Sequence, residues 1–285
     1  MSRFDQIGVV GGGTMGAGIA EVCARSGAHV VVLEVSEEAL DAARGRVETS
    51  LGRAVRASRL SEDDRDAVLA RITWTTSYDD LADRDLVVEA APEDEELKLD
   101  LFRRLDAVVQ PGAVLASNTS SIPLVKMAAV TKRPHKVVGV HFFNPVPVLP
   151  LVEVVESLLT SAETLAAVTE FAEQQLGKQT IRSKDRAGFV VNALLIPYLL
   201  SAIRMYESGF ASAEDIDQGM VKGCAHPMGP LALADLIGLD TTAAVAQSMY
   251  EEFKEPLFAA PPLLLRMCEA GLLGRKTGQG FFSYA

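Results

Sequence analysis

The first half of the chain alternates short apolar runs with amphipathic helical stretches. Runs typical of buried strands are QIGVVG (6–11), HVVVLE (29–34), DLVVEAA (85–91), AVLASN (113–118) and KVVGVHF (136–142). Segments such as EELKLDLFRRLDAVV, with the spacing of an amphipathic helix, separate them. Strands that are apolar on both faces and alternate with helices indicate a parallel sheet covered on both sides. The pattern predicts a doubly wound α/β sheet.

The pattern changes in the second half of the chain. Two further strands are predicted at LVEVVE (151–156) and QTIRS (179–183), but from Asp185 onward strand signals nearly vanish and helical runs dominate. We therefore expect two domains, a sheet-containing domain over residues 1–184 and an all-helical domain over residues 185–285.

Composition narrows the class of protein. The net charge of -11 over 285 residues argues against a nucleic-acid partner, which requires a basic face. The three cysteines are widely spaced, and no metal-ligand cluster, GxSxG elbow or Walker lysine motif is present. The most apolar segment, VVNALLIPYLLSAI (190–203), is too short to span ~30 Å of hydrocarbon. We expect a cytoplasmic protein that binds neither a membrane nor a metal.

Three glycines follow the first predicted strand in G-x-G-x-x-G spacing, namely Gly11, Gly13 and Gly16. Gly11 would allow the tight turn, Gly13 would let the backbone approach a pyrophosphate, and Gly16 would let the helix lie against the strand. The helix start at Thr14 and Met15 would direct backbone N–H groups at the anion. The alternative is a turn that is rich in glycine for packing alone. The strand–loop–helix context favours a Rossmann-type dinucleotide site.

Glu34 ends the second predicted strand about 20 residues beyond the loop, where an acid binds the ribose diol of a dinucleotide. A carboxylate there would repel a 2′-phosphate. The predicted cofactor is therefore NAD, with NADP the less favoured alternative.

Polar residues stand at the ends of three later strands, at Glu89, at Ser117–Ser121 and at His141. A parallel nucleotide-binding sheet presents its ligand at these carboxyl ends. Glu153 lies among valines, and a buried carboxylate requires a partner, for which His141 is the nearest candidate. Such a pair fixes the imidazole tautomer and assists proton removal from an alcohol. The alternatives are a core histidine and a solvent-exposed Glu153 on an edge strand.

At this level of detail the chain resembles the bacterial L-3-hydroxyacyl-CoA dehydrogenases of the 3-hydroxybutyryl-CoA type. The resemblance runs essentially from end to end and is carried by blocks in the order of that family. These are GGGTMGAGIAEVCARSG, VVEAAPED, SNTSSI, HFFNPVPVLPLVEVV, DRAGFVVNALLIPYL, HPMGPLALADLIGLD and GRKTGQGFF.

The resemblance implies a role for each matching residue. His141 would be the general base in NAD-dependent oxidation of a 3-hydroxyacyl-CoA, and Glu153 would orient it. Ser120 and Asn192 would hydrogen-bond the reacting oxygens and the histidine. Glu89 and Asn118 would lie near the nicotinamide. The resemblance also implies a homodimer formed by the helical domain, an active site between the two domains, and a role in fatty-acid metabolism.

An acidic protein that binds coenzyme A requires a local basic patch. Arg46, Arg53 and Arg56 share one face of the predicted helix after Glu34, and Arg59 follows at its end. A solvated basic face is the alternative, and the segment RASRL (56–60) lacks the Lys-Gly-Lys run of many relatives. Two rival functions stay open: a dehydrogenase of a free 3-hydroxy acid or sugar acid, and a dinucleotide-binding protein without turnover.

Overall fold

The computed structural model describes residues 4–284. They divide between Arg186 and Ala187 into two compact units. The first unit contains one eight-stranded sheet in the order β3-β2-β1-β4-β5-β6-β7-β8. Its strands are β1 (Gln6–Val10), β2 (His29–Leu33), β3 (Ile72–Thr75), β4 (Leu86–Glu89), β5 (Val114–Ser117), β6 (Val137–Phe142), β7 (Leu151–Glu156) and β8 (Gln179–Lys184).

Six helices belong to this unit. They are α1 (Thr14–Arg25), α2 (Glu37–Arg56), α3 (Glu62–Leu69), α4 (Glu95–Val108), α5 (Leu124–Ala129) and α6 (Ala162–Glu170). The helix starts are encoded locally, because Ser36 and Ser61 are N-caps whose hydroxyls accept from Ala39 N and Asp64 N. Helix α2 ends earlier than expected, at Arg56, and Ser58 then takes a left-handed φ of 54°. Arg59 therefore lies outside the helix.

The sheet confirms the α/β prediction and differs from it in two places. All neighbouring pairs from β3 through β6 are parallel, but β7 runs antiparallel to β6. The connection between β6 and β7 (143–150) is too short for the crossover that parallel strands require, so the chain turns back. The sequence prediction also missed β3, a four-residue strand with two partly exposed positions.

The second unit is helical, with α7 (Val191–Glu207), α8 (Ala213–Gly223), α9 (Pro230–Ile237), α10 (Leu239–Phe253) and α11 (Pro262–Glu269). Its core is formed by apolar side chains from α7, α9 and α10, such as Leu199, Leu231 and Ala246. Among the described residues, no helix combines the length and the hydropathy of a membrane span.

The three cysteines are free thiols, as their spacing predicts. Cys23 is fully buried in α1, and burial raises the pKa of its thiol to about 12. Cys224 is exposed, and Cys268 is partly buried.

Asp235 of α9 anchors the last described segment of the second unit. The carboxylate is 1% exposed and accepts hydrogen bonds from Phe281 N, Phe282 N and the hydroxyl of Tyr284. Burial and this neighbouring carboxylate raise the pKa of Tyr284 to about 12. Residues 281–284 therefore satisfy a buried charge that would otherwise be unpaired.

Candidate active site

The glycine-rich loop joins β1 to α1 and depends on two close approaches. Gly11 has a φ of +91°, and a Cβ on Gly16 would lie 1.7 Å from the Gly11 carbonyl oxygen. Only glycine fits Gly16, because the first turn of α1 lies directly against the loop. A Cβ on Gly13 would meet nothing within 4 Å. The loop thus has a tight turn, a close helix contact and one open backbone position.

The start of α1 fits the phosphates of a dinucleotide. Its N-cap is Gly13, no side chain caps the first turn, and that turn, which begins with Thr14 and Met15, has no acidic residue. The backbone N–H groups there are oriented to bind an anion.

The carboxylate of Glu34 lies beside this loop. Its Oε1 accepts from Gly12 N at 2.6 Å, and Oε2 accepts from Val35 N at 3.1 Å. From the other side, Nη1 of Arg46 donates to the Gly12 carbonyl at 3.2 Å. The acid therefore stands where a ribose diol would be bound, which fits NAD.

Glu89 is the last residue of β4, and its buried carboxylate contacts β5 and α4. Its Oε1 accepts from Lys98 Nζ at 2.6 Å and from Ala91 N at 2.7 Å, while its Oε2 accepts from Ser117 Oγ at 2.6 Å. Glu89 is 0% exposed and Lys98 is 1% exposed. The ion pair links the carboxyl ends of β4 and β5 to α4.

Glu93 organises the loop that carries Ser120. Its Oε1 accepts from the Ser120 amide at 3.0 Å and from the hydroxyls of Thr119 and Ser121 at 2.5 Å and 2.8 Å. Burial raises the pKa of Glu93, but Lys98 and these donors outweigh burial and leave it below its usual range. Sequence reasoning missed Glu93 and Lys98, although the buried Glu89 was a signal that a cation must be near.

His141 and Glu153 face each other across the antiparallel pair β6 and β7, where they are direct partners in register. Nδ1 of His141 lies 2.7 Å from Oε2 of Glu153, and the two side chains are 9% and 0% exposed. The expected pairing is present, and the alternative of an exposed Glu153 is wrong. The antiparallel turn between the strands is what brings these residues together.

Two neighbours fix the end of β6. Asn118 follows β5, and its Oδ1 accepts from the Phe142 amide at 2.9 Å. The ring of Phe143 contacts the His141 ring edge-on, with centroids 4.7 Å apart. Asn118 thus holds the strand that carries the histidine, in addition to its predicted place near the cofactor.

A groove of about 570 Å³ lies between α1 and α2 and is bounded by residues 144–147. Arg46 and Arg53 line it, as the basic face of α2 predicts. Arg56 and Arg59 are not among its lining residues, and their predicted contact with the substrate stays a prediction. A Cβ on Gly45 would meet nothing within 4 Å, whereas a Cβ on Gly18 would lie 2.9 Å from the Val146 Cβ.

Asn192 belongs to the second unit. It lies in the first turn of α7 and is half-buried. Its predicted contact with the reacting oxygens stays a prediction.

Comparisons with known proteins agree with this geometry. Residues 6–186 match the model of the 3-hydroxyacyl-CoA dehydrogenase NAD binding domain, and residues 188–284 match that of the C-terminal domain of the same family. A 3-hydroxybutyryl-CoA dehydrogenase of Mycobacterium tuberculosis is 58% identical over 282 residues, covering 99% of each chain.

Solved structures give the same result. The crystal structure of M. tuberculosis FadB2 superposes with a TM-score of 0.98 at 58% identity, covering 99% of this chain and 100% of that one. The (S)-3-hydroxybutyryl-CoA dehydrogenase PaaH1 of Ralstonia eutropha superposes with a TM-score of 0.94 at 47% identity, covering 99% of each chain.

The sheet, the phosphate loop and the matched NAD binding domain define an NAD-dependent oxidoreductase. More specifically, the chain belongs to the 3-hydroxyacyl-CoA dehydrogenase family.

Proposed function

We propose that this protein interconverts a short-chain (S)-3-hydroxyacyl-CoA, such as 3-hydroxybutyryl-CoA, and the corresponding 3-oxoacyl-CoA with NAD. Similar proteins that are themselves 3-hydroxybutyryl-CoA dehydrogenases, at 58% and 47% identity, support this substrate class. The observation that carries the chemistry is the 2.7 Å contact between His141 and Glu153. It stands at the sheet edge where β1 leads into the phosphate loop.

His141 acts as the general base in this proposal. Because Nδ1 faces Glu153, the opposite ring nitrogen, Nε2, takes the proton of the 3-hydroxyl group. Glu153 accepts a hydrogen bond from Nδ1–H and stabilises the imidazolium ion that forms. Proton transfer of this kind contributes about 10²- to 10⁴-fold to a rate. In the reverse direction the imidazolium returns the proton to the carbonyl oxygen.

When bound, NAD would supply the acceptor for the hydride from C3 of the substrate. The chain binds its phosphates with the amides at the start of α1 and its ribose with Glu34. Glu89 and Asn118 support the strand ends beside the nicotinamide. Ser120, held through its amide by Glu93, and Asn192 donate hydrogen bonds to the reacting oxygen.

The groove between α1 and α2 is the proposed site for the nucleotide of coenzyme A. Arg46 and Arg53 supply positive charge within a protein of net charge -11. A local basic site is required there, because the overall field of the protein repels an anion.

Three further assignments belong to this proposal. The second unit forms the interface of a homodimer, the protein acts in the cytoplasm, and the reaction serves fatty-acid β-oxidation or its reversal. Light scattering across a range of protein concentrations tests the dimer, and a single monomer mass at all concentrations would contradict it.

The activity is tested by following NADH absorbance during reduction of acetoacetyl-CoA. We expect turnover by the wild type, little turnover with NADPH or with free acetoacetate, and loss of about 10²- to 10⁴-fold in kcat for His141→Ala.

The matched control is His29→Ala, which removes an exposed imidazole at the start of β2. Equal turnover of free acetoacetate would favour a dehydrogenase of free 3-hydroxy acids. Retention of kcat in His141→Ala would contradict the mechanism.

A further inference from the structure

Glu21 is a buried acid in α1 that the proposed mechanism does not use. Its side chain is 1% exposed. Oε1 accepts a long hydrogen bond of 3.4 Å from Arg25, and Oε2 makes no hydrogen bond among the described residues. A buried carboxylate with one unsatisfied oxygen is costly unless a proton or a ligand satisfies it.

Glu21 lies on the wall of the groove between α1 and α2. Gly18 precedes it by one helical turn on the same wall, and Ser50 and Arg53 line the facing wall on α2. Because Gly18 has no side chain, Val146 packs closely against α1 on this wall, where a Cβ on Gly18 would lie 2.9 Å from the Val146 Cβ. A ligand in this groove would therefore have Glu21 in one of its walls.

Charged groups face Glu21 from three elements. They are Arg25 on α1, Arg53 on α2 and Lys178 in the segment before β8. Lys178 donates to the carbonyls of Val146 and Leu149, and so fixes the third wall of the groove. Burial raises the pKa of Glu21, and the Ser50 hydroxyl, Arg25 and Arg53 offset that increase only in part.

We propose that Glu21 is a proton-linked specificity residue for the nucleotide of the acyl-CoA substrate. The neutral acid admits the phosphates of coenzyme A to the groove, and the carboxylate opposes them. This inference rests on the proposed function. When an anionic phosphate enters, an ionised Glu21 takes up one proton from solvent, the like-charge repulsion ends, and the new O–H can donate to a phosphate oxygen.

The test compares KM for acetoacetyl-CoA across a pH series in the wild type and in Glu21→Gln, a neutral isostere. In the wild type KM is expected to rise as pH increases, and in Glu21→Gln the rise is smaller. At the alkaline end of the series KM of the variant should be lower than that of the wild type by about fivefold, the size of one like-charge interaction at ~4 Å in a water-like dielectric. For the 3-oxobutyryl thioester of N-acetylcysteamine, which has no phosphate, the KM of the wild type should not rise with pH.

The matched control is Glu48→Gln, which removes the same charge from an exposed position of α2 outside the groove. Its KM profile should follow the wild type. Coenzyme A itself titrates through its phosphate monoester at pH ~6. The pH dependence of KM that is due to Glu21 is therefore the difference between the wild-type and Glu21→Gln profiles. Calorimetry with coenzyme A in two buffers of different ionisation enthalpy should show more proton uptake in the wild type than in Glu21→Gln.

Identical KM profiles in the wild type and Glu21→Gln, or a higher KM in the variant at every pH, would overturn the inference. Absence of acetoacetyl-CoA turnover by the wild type at every pH would instead refute the proposed function. In that case calorimetry with coenzyme A still tests the role of Glu21. Equal proton uptake by the wild type and Glu21→Gln, or no binding of coenzyme A, would contradict that role.

Discussion

The ammonium group of Lys98 lies 2.6 Å from Oε1 of Glu89, and both side chains are almost completely buried. The same lysine is 3.4 Å from Oε2 of Glu93, which holds the Ser120 loop. One buried cation thus connects the end of β4 to the loop of a proposed substrate-binding serine.

Lys98→Met should destabilise the protein by about 3–5 kcal/mol, because it leaves the Glu89 charge buried without its partner. The double variant Glu89→Gln, Lys98→Met should recover part of that loss, since no unpaired charge remains. Urea unfolding measures both changes. Arg104→Met, which breaks the exposed pair with Asp100 on the same helix, should change the free energy of unfolding by less than about 1 kcal/mol.

Glu153→Gln should lower kcat by about 100-fold or more with little change in KM. The amide cannot stabilise the imidazolium ion of His141, and it can hold the ring in the wrong tautomer. Steady-state kinetics with acetoacetyl-CoA measure the change. Glu156→Gln, on the same strand but in a surface pair with Lys184, serves as the control. A kcat for Glu153→Gln within about twofold of wild type would show that Glu153 does not assist proton transfer.

Glu93 should make the free energy of unfolding decrease as the pH falls into the acidic range. Because Lys98 and three loop donors hold the pKa of Glu93 below its usual range despite burial, its contribution is complete above pH ~4.3, the ordinary value for Glu. It is lost as pH falls through the lower folded-state pKa. The free energy of unfolding should therefore fall more steeply in acid for wild type than for Glu93→Gln. Glu96→Gln, at an exposed position of α4, should follow the wild-type curve.

Two alanine substitutions separate the structural and ligand-binding glycines of the phosphate loop. Gly16→Ala should destabilise the first unit by several kcal/mol, about the upper range for point mutants, because its Cβ would lie 1.7 Å from Gly11 O. Gly13→Ala has room for its methyl group and an allowed φ of -61°, so its Tm should stay near that of wild type. Its Kd for NADH should nevertheless rise about tenfold, since the methyl group meets the pyrophosphate. Unchanged NADH binding in Gly13→Ala would contradict the assigned phosphate position.

The sequence predicted those parts of the fold that leave a local pattern. Strand-like segments, most of them apolar, marked seven of the eight described strands, and glycine spacing after the first of them marked the phosphate loop. Strand β3 was missed because ITWT is short and only its ends are buried. The antiparallel direction of β7 was missed as well, because hydrophobic alternation does not encode strand direction.

The contact between His141 and Glu153 was predictable, because a carboxylate placed among valines requires a buried partner. Lys98 was missed because its position in the α4 sequence resembles that of a solvent-exposed lysine. Its burial depends on strands that are distant in sequence. The same limit applies to the arginines of α2. Helical periodicity placed Arg46, Arg53 and Arg56 on one face, but only the structure shows that Arg53 lines the groove and Arg56 does not.

The carboxylate of Asp235 has a consequence for how the helical unit is made. Its partners, Phe281, Phe282 and Tyr284, are translated long after α9 itself. While the ribosome still holds residues 281–284, the acid has none of these donors, and the site it occupies in the finished unit is disfavoured. The first unit contains all of its strands by residue 184 and can fold earlier. The nucleotide-binding half is therefore expected to mature first, and the helical half only after residues 281–284 have left the ribosome.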